Sequence, residues 1–270
     1  VIGAEARAQG ANLWAGTCVN LAYAPGWGRT QESYGEDPVL LGAMGAASVE
    51  GVNPWVMSCV KHFALNSMEE ARFRVDVGVA EDVLHEVYLP HFRAVVEAGV
   101  DCVMSAYNSV NGTWAGQNRY LLTDVLRAQW RFTGFVLTDF IWGLRDPVGS
   151  VAAGQDLEMP FRHQRAGALP SALEAGTLKR TDVERAAHRQ LSAQIRFAVR
   201  ARPTPPADVV ASAGHRRLAR EVACRGAVLL RNQVIGQTPA LPLVQDSLSR
   251  VALLGALADR PNQGDVGSSM

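Results

Sequence analysis

Five side chains with chemical use stand at or just after the ends of short apolar runs: Arg29 after 19–24, Lys61 and His62 closing 55–63, Tyr107 after 100–106, and Asp139 after Gly134-Phe135-Val136-Leu137-Thr138. Only Asp139 is a carboxylate; the others are hydrogen-bond donors. The set has no metal-ligand spacing, no glycine-rich phosphate cradle and no Ser/His/Asp order. One anion among donors suits a neutral, hydroxyl-rich molecule, with the donors gripping hydroxyls while the carboxylate faces an oxocarbenium-like centre. The same donors are expected to hold Asp139 ionised, as a nucleophile requires. Each residue also has a plainer reading. Asp139 could cap a helix, His62 could be a satisfied core histidine, Tyr107 could be packing, and Arg29 could pair with Glu32 or Glu36. Lys61 admits a different chemistry, a Schiff base with a carbonyl compound.

Convergence of these groups needs a scaffold that brings strand ends together, and the order of elements supplies one. Apolar runs at 19–24, 55–63, 100–106 and 134–140 read as strands, with a further short one at 154–160. Between them, 39–52, 81–98 and 121–130 read as helices, the second interrupted by Pro90 and ended by Gly99. Asn111-Gly112 marks a turn. Helices follow at 166–175 and 181–199, the latter opening on a Thr181/Glu184 capping box. Strand, loop and helix in alternation predict a parallel α/β sheet, and in a parallel barrel the carboxyl ends of all strands share one opening. Pro203, Pro205 and Pro206 mark a linker at 203–208, dividing a first domain (1–202) from a second (209–270). The second domain reads as a helix at 215–225 and strands at 227–231 and 250–256, too few elements to close a domain.

Composition narrows the partners. With 26 basic and 26 acidic residues in 270 the chain has no overall field to draw nucleic acid or an anionic membrane, and no apolar run has the length of a bilayer span. An uncharged small molecule suits this balance, no cofactor is implied, and a homo-oligomer is compatible with it. Lys61 and Lys179 are the only lysines in an arginine-biased chain, which favours a role for Lys61. Cys18, Cys59, Cys102 and Cys224 are widely spaced and read as free thiols, leaning towards a reducing, cytoplasmic compartment. Val1 begins within a helical pattern, without an initiator Met, so the N-terminus is expected to be missing.

The motifs together resemble the family 3 glycoside hydrolases of β-glucosidase type: Trp27-Gly28-Arg29-Thr30 with Glu32-Ser33-Tyr34-Gly35-Glu36-Asp37-Pro38, Lys61-His62-Phe63, Met104-Ser105-Ala106-Tyr107-Asn108, Thr138-Asp139, and Asp156-Leu157-Glu158-Met159-Pro160. The resemblance implies a TIM-like (β/α)8 barrel, incomplete at its N-terminus, followed by the start of an α/β sandwich domain. It implies a retaining, exo-acting hydrolase releasing terminal β-D-glucosyl units, with Asp139 as nucleophile. Arg29, Lys61 and His62 would hold sugar hydroxyls, with Tyr107, Met104 and Trp142 around the same pocket. A β-xylosidase or arabinofuranosidase of the family is the nearer alternative; a non-catalytic sugar-binding protein and a Schiff-base lyase using Lys61 are the remoter ones. The chain also departs from the family pattern. Phe140 follows the nucleophile where relatives often have Trp, and the general acid/base glutamate would lie beyond this chain, 264–270 resembling only the opening of the domain that carries it. Glu158 and Glu86 read as structural carboxylates, and Glu69 or Glu70 as remote candidates for a local acid.

Overall fold

The computed structural model describes residues 1–258 and 260. The resemblance of 264–270 to the opening of a further domain therefore lies outside the described residues. The chain divides into two compact units, Val1–Val210 and Ala211–Met270.

Unit one is built on a parallel sheet in the order β1 (Leu13–Cys18), β2 (Met57–Phe63), β4 (Cys102–Ser105), β7 (Phe135–Leu137), with an isolated bridge carrying Leu157 onto Leu137. Between β2 and β4 lies the short strand β3 (Asp76–Val77), which pairs with the hairpin of β5 (Ser109–Val110) and β6 (Thr113–Trp114). Asn111 and Gly112, both at positive φ, make the hairpin turn that their types suggest. Helices complete the alternation: α1 (Ile2–Ala8), α2 (Pro38–Val52), α3 (Glu81–Val83) running into a π-helical turn at Leu84–Tyr88, α4 (Pro90–Glu97), and a π-helical stretch at Tyr120–Gln129. Then come α5 (Pro147–Ala153), α6 (Gln164–Glu174) and α7 (Arg180–Arg200). This is part of a TIM-like barrel.

Local chemistry explains the elements. Asp37 accepts the Val39 N–H at 2.9 Å and Pro38 opens α2, a capped start with no donor wasted. Gly45 then lets α2 lie on its neighbours, since a Cβ there would meet Val95 Cγ2 at 2.6 Å and Val19 Cγ1 at 2.8 Å. Every residue of β2 is buried, as expected of a strand covered on both faces. One face packs with the helices, in a core that includes Val60, Val103, Val136, Leu41, Phe92 and Leu122. The other carries Cys59, Cys102, Met104 and Leu137, closed by Ala193 and Phe197 of α7. Gly134 admits β7 at all: a Cβ there would sit 2.1 Å from the Asp101 carbonyl.

Three sequence expectations in unit one are corrected. The first strand is Leu13–Cys18, and 19–24 is irregular although Val19 and Leu21 are buried. Its amides are used singly, Val19 N–H to Lys61 O and Ala22 N–H to Gly35 O, so burial there comes without a ladder. Residues 154–160 form one bridge and no strand. The capping box at Thr181 is absent: Lys179 precedes α7 without a side-chain cap, and Glu184 instead takes Arg180 Nε at 2.9 Å.

Unit two comprises α8 (Ala213–Gly226), capped by Ser212, and a two-stranded ribbon of β8 (Val234–Ile235) and β9 (Thr238–Pro239). The strands expected at 227–231 and 250–256 are not formed, because neither run has a strand beside it to complete a ladder among the described residues.

Candidate active site

Asp139 sits two residues beyond β7, in a turn fixed from both sides. The Thr138 N–H binds Leu157 O at 3.0 Å, and Thr138 Oγ1 accepts the Met159 N–H at 2.9 Å. Gly143 closes the turn, since a Cβ there would lie 2.4 Å from the Asp139 carbonyl. The residue is 6% exposed. Its Oδ1 accepts the Phe140 N–H at 2.8 Å, whereas Oδ2 has no hydrogen-bond partner among the described residues.

Lys61 and His62 end β2 and are buried. His62 Nε2 stands 3.6 Å from Asp139 Oδ2, too far for a good hydrogen bond. Behind it, Asn20 is wrapped around the residue: its Oδ1 accepts the His62 N–H at 2.7 Å and faces Nδ1 at 3.1 Å, while its Nδ2 donates to His62 O at 2.9 Å. Lys61 Nζ lies 3.1 Å from Glu32 Oε2. Arg29 binds the same carboxylate through two nitrogens, Nε to Oε1 at 2.7 Å and NH2 to Oε2 at 2.9 Å. It also lies 3.8 Å from Glu69 Oε1, which Arg72 holds from the other side. The Arg72 guanidinium covers the rings of Phe73 and Tyr107, at 4.7 and 4.9 Å to their centroids. Tyr107 donates its hydroxyl to Phe140 O at 2.7 Å. Phe73 lies between Tyr107 and Trp142, with centroids 4.7 and 5.6 Å away.

The structure thus links Arg29, Lys61, His62, Tyr107 and Asp139 by contacts among themselves and their neighbours. Arg29 arrives by a different route from the expected one, from the turn before the single helical turn Thr30–Glu32, eleven residues after β1 ends. Met104 is buried in the apolar cluster beneath. Trp142 is 57% exposed; its ring meets Phe73, and its backbone N–H donates at 2.8 Å to the Phe140 carbonyl that also accepts the Tyr107 hydroxyl. Sequence reasoning missed Asn20, Arg72 and Phe73. It named Glu32 only as a surface partner for Arg29, whereas Glu32 also holds Lys61. The pairings of Asn20 with His62, Glu32 with Lys61, and Arg72 and Phe73 with Tyr107 span tens of residues, and no local spacing reveals them. Glu158 accepts the amides of Gln164 and Arg165, at 2.8 and 3.0 Å, at the start of α6, a structural use.

Burial pushes the Asp139 carboxyl up to about 6, against the opposing pull of the Phe140 N–H, Arg29, the Tyr107 hydroxyl and Lys61. This corrects the expectation that the surrounding donors set its proton affinity: they temper a rise that desolvation dominates. Above that value the carboxylate is ionised, and more basic than an exposed aspartate. Burial lowers His62 well below its usual range, helped by Arg29, Lys61 and Arg72, so the imidazole is neutral. Burial and the charge of Asp139 push the Tyr107 phenol up, keeping its proton in place to donate. Desolvation disfavours the charged Arg29 guanidinium, but the hydrogen bonds to Glu32 and its charge more than reverse this and raise its proton affinity. Arg29, Lys61 and Arg72 stand against Glu32, Glu69 and Asp139, so the cluster is charge-balanced around a neutral imidazole. Among the described residues no three of His, Cys, Asp or Glu are grouped to hold a metal, and no helix is long and apolar enough to cross a membrane.

The chain shares 36% identity over 272 residues with the thermostable β-glucosidase B of Acetivibrio thermocellus, covering 99% of this chain and 35% of that protein. A β-glucosidase of Rhizobium radiobacter is 36% identical over 94% of this chain and 31% of its own length. Among solved structures, β-glucosidase 3B of Thermotoga neapolitana in complex with glycerol superposes with a TM-score of 0.82 at 34% identity, covering 91% of this chain and 35% of that one. DesR, a β-glucosidase from Streptomyces venezuelae in complex with D-glucose, gives 0.83 at 34%, over 91% and 33%. The chain spans about a third of the length of these relatives. The family model for the glycosyl hydrolase family 3 N-terminal domain matches residues 1–193, and the chain belongs to that family.

Proposed function

We propose that this chain supplies the nucleophile and most of the sugar-binding groups of a retaining, exo-acting β-glucosidase. The observation that carries the reading is Asp139: a buried carboxylate at the sheet's carboxyl end, with one oxygen anchored by a backbone N–H and the other unpartnered among the described residues. Oδ2 attacks the anomeric carbon of a terminal β-D-glucosyl unit as the bond to the aglycone oxygen breaks, the aglycone leaving with a proton from the acid/base carboxyl; water then cleaves the glycosyl-enzyme, giving its proton back to that group and releasing the sugar with retained configuration. Lys61, Arg29 and Arg72 donate to hydroxyls of that unit, and His62 meets it through Nε2. Tyr107 anchors the Phe140 carbonyl and so the turn that presents the nucleophile. Trp142 and Met104 are assigned to the surroundings of the same sugar by resemblance to the family.

A retaining mechanism needs a second carboxyl about 5 to 5.5 Å from the first. Glu32 and Glu69 are committed to Arg29, Lys61 and Arg72, so neither is placed to deliver a proton. By resemblance to the family, the acid/base is assigned to a part of the protein outside this chain, which covers about a third of its relatives' length. Lys61 lies 3.1 Å from Glu32 Oε2, a pairing that a Schiff-base lysine would have to give up to reach a carbonyl compound.

In the full-length protein, Asp139→Ala should abolish turnover, and a 2-fluoro glucoside should label Asp139 in the parent, as read by peptide mass. Normal hydrolysis by the variant would overturn the assignment. A panel of nitrophenyl glycosides sets glucoside against xyloside and arabinofuranoside and tests the sugar itself.

A further inference from the structure

We propose that Asn20 is a positioning residue that locks His62 in the tautomer carrying its proton on Nδ1, so that Nε2 meets Asp139 as a bare lone pair and leaves Oδ2 free to react. The inference rests on the nucleophile assignment for its catalytic meaning, but the tautomer itself follows from geometry.

The orientation of the Asn20 amide is set by two backbone groups of unambiguous character. The His62 carbonyl can only accept, so the atom 2.9 Å from it is the amide NH2; the His62 N–H can only donate, so the atom 2.7 Å from it is the amide oxygen. That same oxygen faces His62 Nδ1 at 3.1 Å. A carbonyl oxygen accepts only, so Nδ1 carries the proton. The ring is neutral, because it is 1% exposed and Arg29, Lys61 and Arg72 oppose a second proton. Nε2 is therefore bare.

One consequence is visible at Asp139. Its Oδ2 lies 3.6 Å from Nε2 without a hydrogen bond, as expected when two lone pairs face each other. The opposite tautomer, or an imidazolium, would aim an N–H at Oδ2, stabilise the carboxylate and blunt its attack. Asn20 thus protects the nucleophile from its nearest ring neighbour. A ligand hydroxyl reaching this corner finds Nε2 as an acceptor, in contrast to the donors Lys61, Arg29 and Arg72. Asn20 is itself held down: its carbonyl takes the Ser33 hydroxyl, and the Cys18 thiol points at its amide oxygen from 3.8 Å.

The test is nitrogen NMR of the full-length protein labelled with 15N-histidine, the His62 ring being assigned with His62→Gln. The expected result at neutral pH is a proton-bearing Nδ1 and an unprotonated Nε2. A proton on Nε2 in the parent chain overturns the proposal and needs no variant. In Asn20→Ala, Nε2 should become protonated in a large fraction of molecules, and in Asn20→Asp, whose added charge faces the ring, both nitrogens should. An unchanged tautomer in both overturns the role of Asn20. In the full-length protein, Asn20→Ala should lower kcat roughly tenfold to a hundredfold with KM within about twofold, the pattern of a lost orienting contact. A tautomer that shifts while kcat holds also overturns it. If Asp139→Ala retained turnover, the nucleophile reading would fail while the NMR result stood, so the two failures are distinct.

Discussion

The two compact units contain similar apolar runs and treat them in opposite ways. In unit one, Val60, Phe63, Val103 and Val136 are fully buried or nearly so, with helices on one side and α7 on the other. In unit two, Leu230 is 92% exposed, Leu253 and Leu254 are likewise open, and no residue of α8 is buried. The residue types do not differ; the partners do. An apolar β-branched run becomes a strand only when another strand offers a ladder and a helix covers its face, because isolated two-stranded ribbons are marginal.

The largest expected effect lies in hydrogen exchange. Amides of β2, β4 and β7 should be protected to near the global stability of the unit, several orders of magnitude beyond those at 227–231 and 250–256. Comparable protection in the two units would break the contrast. A smaller but sharp version uses truncation. Phe63, in edge contact with Phe92 at 5.2 Å and Trp130 at 5.9 Å, should cost about 3 to 5 kcal/mol as Phe63→Ala in urea unfolding, whereas Leu230→Ala should stay within about 0.5 kcal/mol.

Charge separates the units in the same sense. Asp101, buried, accepts the Ser58 N–H at 3.2 Å and pairs with Arg200; Asp101→Asn should cost about 3 kcal/mol. Asp139 acts in the opposite direction. Its folded carboxyl titrates near 6 against an ordinary 3.8, so the folded state binds the proton more tightly and stability falls as pH rises through that window. Asp139→Asn should therefore stabilise unit one by about 3 kcal/mol above pH 6, with the gain vanishing below pH 4, as read by denaturant midpoints across pH. A variant no more stable than its parent at neutral pH would contradict the desolvation that sets this value. The smallest effect belongs to unit two, where the exposed Glu221–Arg225 pair on α8 should be worth about 0.3 kcal/mol in a double-mutant cycle.

The contrast also explains what could be read from the chain directly. Lys61, His62, Tyr107 and Asp139 were legible because they stand at or next to the ends of strands that pair in sequence order, which the alternation of elements reveals. Arg29 joins them by a route other than the one expected. Residues 19–24 look like a strand by apolarity alone, while β1 hides behind Trp14, Gly16 and Thr17, which break the expected pattern. Asn20, Arg72 and Phe73 were illegible, because each meets the site through a partner far away in the chain: His62 for Asn20, and Tyr107 for Arg72 and Phe73. The strands expected at 227–231 and 250–256 failed for the converse reason: a pattern describes what a segment could bury, and only neighbouring segments decide whether it does. The proton affinity of Asp139 failed on magnitude, since charges can be counted in a sequence but depth of burial cannot.

The charge-balanced cluster has a consequence for how ligand arrives. Arg29, Lys61 and Arg72 are each in contact with Glu32 or Glu69, and ionised Asp139 supplies the third negative charge, so the fields cancel at short range and little potential reaches the solvent. Such a mouth neither attracts nor repels by long-range force, and encounter is left to diffusion alone. Capture by this site should thus be indifferent to ionic strength, with added salt changing neither the rate of entry nor the choice among neutral ligands.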